Sequence, residues 1–129
     1  MTYDQHNFLV VVSAKAESIT ARMNEAFEVK MALVRYFLNS DYKFAIVGED
    51  IISNEMRLGT VLNLVISIIP HDNDTVNQIA ECAKLKAMMA NIVGDLGYRC
   101  MVADEEMMSD FAKKKIQYLP KEGGEWYEQ

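Results

Sequence analysis

Three carboxylates, Glu49, Asp50 and Glu55, sit in the stretch GEDIISNE (Gly48–Glu55), between the apolar runs YKFAIV (Tyr42–Val47) and TVLNLVISII (Thr60–Ile69). A carboxylate beside buried strands loses part of its hydration, so it can act as a base or pair with a cationic ligand. A solvated acidic turn has the same composition and is the commoner use of such residues. Ser13, Ala14 and Lys15 end the first apolar run, at the strand edge where α/β proteins commonly bind ligands. Asn24 is a polar position on the segment that follows, and a water-facing helix position is the simpler account of it.

Other chemistries lack their residues. His6 and His71 have no neighbouring Cys and no HxxxH spacing, so no metal site is expected. Asp72, Asn73 and Asp74 lack the glycine and terminal glutamate of a calcium loop. No GxxxxGK[ST], GxGxxG or GxSxG occurs, which removes the readable nucleotide and hydrolase signatures. Cys82 and Cys100 belong to no CxxC or Cys/His grouping and read as reduced thiols. Met88, Met89, Met107 and Met108 read as core or interface filler.

The elements that must position these residues are legible from hydrophobic period. FLVVV (Phe8–Val12) is a continuous apolar run, as in a strand covered on both faces. Ile19, Met23, Ala26, Phe27, Val34, Phe37 and Leu38 recur at helical spacing, which predicts a helix over Ile19–Leu38 capped by Ser18 or Thr20. A second strand, Tyr42–Val47, runs into GEDIISNE as a polar connection, and a third covers Thr60–Ile69 until Pro70 ends it. A second helix over Val76–Leu96 places Ile79, Cys82, Ala83, Leu85, Met89, Ile92, Val93 and Leu96 on its apolar stripe. Gly97 stands where a left-handed residue would stop that helix. Tyr98–Ala103 reads as strand four, DEEMMSDFAKKK as a short helix, IQYLP as a fifth edge-like strand and KEGGEWYEQ as a tail. The order β-α-β-β-α-β predicts an α+β, ferredoxin-like single domain, with its core over 8–103 and an extension over 104–129.

Such a domain covers one sheet face with its own helices. Strands one and three are nonetheless apolar on both sides, with Leu9, Val11, Val61, Val65 and Ile69 on the second face. An uncovered face of that kind marks an interface. A homo-oligomer contact is therefore expected there, with Asn63 and Ser67 finding partners across it; coverage by the C-terminal extension is the simpler alternative. The net charge of −6 and pI near 4.9 argue against nucleic acid as a partner. No basic-then-apolar leader and no apolar run of membrane-spanning length is present, so a cytoplasmic protein without a membrane partner is expected.

The order VVVSA (Val10–Ala14), a helix bearing Asn24, then YKFAIVGEDIISNE resembles the small phage-encoded S-adenosylmethionine lyases and their relatives. In that family the second strand runs into a glycine, with a tyrosine two residues on and a glutamate seven after the glycine. Gly48 and Glu55 keep the spacing; Asp50 stands at the tyrosine position, and Ile52 where a second glycine is expected. The resemblance covers residues 8–103 in outline and a handful of positions in detail. It implies a ferredoxin-like homotrimer with sites between subunits, acting in the host cytoplasm without a cofactor. The implied reaction cleaves S-adenosylmethionine to methylthioadenosine and homoserine lactone. Glu55 would be the principal catalytic carboxylate, and Asp50 either supplies a second negative charge or marks loss of the role. Ser13, Ala14, Lys15, Asn24 and Gly48 would contact the ligand. The competing expectation is a non-catalytic oligomer on the same scaffold that binds a nucleotide-like ligand or a host protein.

Overall fold

The computed structural model describes residues 5–54, 59–71 and 74–105, with backbone only at 50–54, 59 and 60. Its elements are β1 (His6–Ser13), α1 (Ile19–Leu38), β2 (Phe44–Asn54), β3 (Gly59–Ile68), α2 (Thr75–Asp95) and β4 (Cys100–Ala103). The four strands form one antiparallel sheet in the order β2-β3-β1-β4. This is the expected α+β, ferredoxin-like arrangement. Among the described residues no helix is long and apolar enough to cross a membrane.

Local chemistry sets the boundaries. Ser18 opens α1, its hydroxyl accepting from the Ala21 N–H at 3.2 Å. Asp74 opens α2 by accepting from Val76 at 2.9 Å and Asn77 at 3.4 Å; each cap satisfies backbone donors that a helix start leaves open. Gly97, at φ +89°, follows the last turn of α2, where a side chain would be strained.

Both helices lie on one sheet face. Phe8, Val10 and Val12 of β1 and Leu62, Leu64, Ile66 and Ile68 of β3 form one cluster with Val29, Leu33, Val34 and Phe37 of α1 and Leu85, Met89 and Val93 of α2. Phe37 sits among aromatic rings, 5.4 Å from Phe44 and edge-on to Tyr36 and Tyr42.

Three expectations are corrected. First, GEDIISN is not a connection but the outer half of β2, paired with β3 down to Asn54↔Gly59. The polar residues that suggested a loop are carried there by ladder hydrogen bonds and by neighbouring β-branched residues. A bulge accompanies the change: the register steps from Ile46↔Ile66 to Gly48↔Val65, leaving Val47 as the extra residue. Second, Ile19, Met23 and Phe27, assigned by spacing to the buried stripe of α1, are 73%, 58% and 63% exposed. The buried residues of α1 all lie in its second half, from Val29 onward. Third, Ser67 finds its partner within the chain. It is buried on the outer sheet face, and its hydroxyl donates to Asn7 Oδ1. That face is otherwise as apolar as expected, with Leu9 and Val65 half-buried against Ala103. The helix expected over DEEMMSDFAKKK (beyond Glu105), the expected fifth strand and the tail fall outside the described residues.

Candidate functional site

Where the first half of α1 stands away from the sheet, a groove opens between the helix and the outer half of the β2–β3 hairpin. Its volume is about 580 Å³, within the range of about 300–1,000 Å³ typical of small-molecule sites. Val12, Leu62 and Leu64 form the floor, and Ala26 and Val29 form the base of the helical wall. Ile19, Met23 and Phe27 stand along the mouth. Among the described residues, Arg22 and Glu49 bring charged groups to its margin, and Asn63 of β3 also borders it.

The bulge sets the sheet face on which Glu49 falls. Beyond Val47 the alternation of β2 is shifted by one, so Glu49 pairs with Leu64 on the helix side of the sheet. Glu49 is half exposed and forms an ion pair with Lys30 of α1. Asp50 takes the register position opposite Asn63, one step out of phase with Glu49. Glu55 lies outside the described residues. Among the described side chains, the carboxylate of the acidic stretch that lines the groove is Glu49. Sequence reading grouped it with the other two but had no means of choosing it, because the choice depends on the bulge.

The loop from β1 to α1 is occupied by the chain's own groups. Ser13 donates its N–H to Arg99 O at 2.9 Å, and Ala14 packs on the core. The Lys15 and Ala16 N–H groups both donate to the Glu25 carboxylate, at 3.1 and 2.7 Å to Oε1. The Lys15 ammonium sits 4.0 Å above the Tyr98 ring and donates to Leu96 O at 3.5 Å, favourable for a cation at the C-terminal end of α2. Burial, and then hydrogen bonding to Glu28, pushes the Tyr98 phenol well above its ordinary range. Arg22 Nε donates to Ala16 O at 2.9 Å, holding the guanidinium at the loop end of the groove. Asn24 is exposed on α1 and does not line the groove. Gly48 borders it only through its neighbour Glu49. The structure therefore separates the expected ligand residues: the hairpin reaches the groove, while the Ser13–Lys15 loop is tied to Glu25 and α2.

A second polar cluster, absent from any spacing rule, forms at the opposite end of the sheet. Glu81 of α2 lies 3.4 Å from His6 Nε2 and 3.8 Å from His71 Nδ1, and it accepts from the Tyr42 hydroxyl at 3.3 Å. The His71 ring stacks on Tyr42 with centroids 3.9 Å apart. Burial, reinforced by Glu81, pushes the Tyr42 phenol up to about 12. These contacts fasten the loops before β2 and after β3 onto α2. Among the described residues no group of three or more His, Cys, Asp or Glu is arranged to hold a metal ion. Burial also raises the Cys100 thiol, which disfavours its thiolate.

Comparison of the chain with protein-family models, with curated proteins and with solved structures returned no match.

Proposed function

We propose that the protein binds a small organic ligand in the groove between α1 and the β2–β3 hairpin, and that its chemistry is that of an S-adenosylmethionine lyase. The observation that carries this reading is an open groove with an aliphatic floor whose edge bears a carboxylate, Glu49, on the acidic hairpin. The ferredoxin-like topology agrees with the fold that the family resemblance implies.

Such a groove suits the reaction. The substrate's own α-carboxylate oxygen bonds to its γ-carbon while the carbon–sulfur bond breaks and its electron pair passes to sulfur. Methylthioadenosine leaves as a neutral thioether, homoserine lactone keeps the ammonium, and no proton needs to move. A carboxylate and a sulfonium neutralise each other along this path. Water stabilises the separated charges, so an apolar floor that displaces water favours the transition state over the ground state. Walls that fold the methionine chain back on itself supply the near-attack geometry. Asp50 of β2 and Glu55, the next residue in the sequence after that strand, are the proposed catalytic carboxylates. Among the described residues none forms an outer wall over the exposed Ile19, Met23 and Phe27, and a neighbouring copy in a homotrimer would provide one.

A second reading is favoured by one specific contact. Glu25 already occupies the N–H of Lys15, one of the residues expected to contact the ligand, and that of Ala16 beside it. Binding without turnover, on the same groove, follows if those donors stay occupied. Incubation with S-adenosylmethionine separates the two readings. A lyase releases methylthioadenosine above the no-protein background, and Glu55→Gln abolishes the release while leaving the circular dichroism spectrum unchanged. Saturable binding without product supports the second reading; neither binding nor product refutes both.

A further inference from the structure

Among the described residues, two charged groups line the groove, and they are held differently. Arg22 is fixed at the loop end by its bond to Ala16 O. Glu49 stands at the hairpin end, and its partner is the ammonium of Lys30, one turn beyond Phe27 on α1. Lys30 thereby continues the exposed line Ile19–Met23–Phe27 and ends it on a carboxylate. Both members of the pair keep contact with solvent, at 26% and 48% side-chain exposure, so the bond is exchangeable.

We infer that Glu49 reads the positive charge of the ligand, and that the Lys30 ammonium occupies this place until an alkylated organic cation displaces it. The inference rests on the groove being the ligand site. A lysine ammonium is compact and strongly hydrated, and gains little from apolar neighbours. A sulfonium or quaternary ammonium carries its charge under methyl groups. It sheds water readily and contacts the aromatic face of Phe27 and the thioether of Met23 while its charge lies near Glu49. The aliphatic floor accepts the rest of such a molecule. The ligand class is therefore an organic onium ion with an apolar or aromatic body, and the groove discriminates it from the neutral analogue lacking the charge.

The test pairs cations with neutral counterparts. The intact chain, labelled at its methyl groups, is titrated at pH 7.5 with S-adenosylmethionine and S-adenosylhomocysteine, and separately with phenyltrimethylammonium and N,N-dimethylaniline. Shifts of the Val12, Leu62 and Leu64 methyl signals are followed. The cation of each pair binds more tightly than its counterpart, Glu49→Gln removes about 2- to 5-fold of that preference, and Lys30→Met increases cation affinity by a similar factor. Equal binding of charged and neutral partners, unchanged by either variant, overturns the inference and leaves the groove as a ligand site. Absence of shifts with all four compounds overturns the groove itself. Methyl spectra of the free variants that match the wild type establish that both have folded.

Discussion

Whether the groove is open can be measured without any ligand, by comparing two leucine truncations. Leu33 is fully buried between the helices and the sheet, whereas Leu64, 6% exposed, forms part of the groove floor. Replacing either by alanine removes three carbons, a transfer cost of about 2.4 kcal/mol at about 0.8 kcal/mol per carbon. At Leu33 the surrounding core is closed, and the void left behind adds roughly 2 kcal/mol, for a total of about 4–5 kcal/mol. At Leu64 the space joins a groove that water already enters, so no sealed cavity forms and the cost stays near about 2–3 kcal/mol. The difference of about 2 kcal/mol corresponds to a shift of about 1 M in urea midpoint at the usual slopes for small domains. Equilibrium urea unfolding, followed by circular dichroism at low micromolar concentration, reads it directly, and equal slopes ensure that the variants unfold between the same states. If Leu64→Ala costs as much as Leu33→Ala, the groove is sealed in solution. A repeat at tenfold dilution then separates the causes, since a wall supplied by a second copy is lost on dilution and one supplied by the same chain is not.

Two further outcomes are expected. Gly97→Ala lowers stability by about 1–2 kcal/mol, because φ +89° disfavours any Cβ while the nearest atom, Lys15 Nζ at 3.5 Å, leaves ordinary room for one; a loss below about 0.3 kcal/mol in thermal or urea unfolding would refute this backbone account. Stability declines as pH rises between about 10 and 12, because the unfolded chain releases the Tyr42 proton near 10.0 whereas the folded chain keeps it to about 12. The contribution is complete below pH 10 and lost above 12, so Tyr42→Phe gives a shallower alkaline decline, and an unchanged decline would show that Tyr42 is not its source.

The fold was legible because its signals are local and repeat. The bounds of α1 follow from Ser18 as a cap and an unbroken helical period, and Asp74 and Gly97 punctuate α2 in the same way. Periodicity identifies which residues share a face, but not whether anything covers that face. Ile19, Met23 and Phe27 satisfy the same spacing as Val34 and Phe37, yet the first three are exposed and the last two buried. The outer half of β2 was hidden because the bulge breaks its alternation where polar residues begin. The Glu81 cluster was hidden for a different reason: Tyr42, His71 and His6 come from three separated segments and meet only when α2 packs across the sheet end. The roles expected for Lys15 and its neighbours rested on their place at a strand end; the side chain that engages their N–H groups, Glu25, lies ten residues beyond Lys15.

The bulge at Val47 makes the identity of the groove's carboxylate a matter of backbone counting. Were Val47 instead paired in the ladder opposite Val65, with β3 unchanged, Gly48 would pair with Leu64, Glu49 with Asn63 and Asp50 with Leu62. Glu49 and Asp50 would exchange sheet faces without a change in any other residue, and the partner of Lys30 would move to the far side of the sheet. Whether this one residue bulges or pairs therefore works as a selector with two settings. A related chain that pairs this residue in the ladder would turn its second acidic position toward the groove side, so comparison by residue identity alone would pair functionally unlike carboxylates.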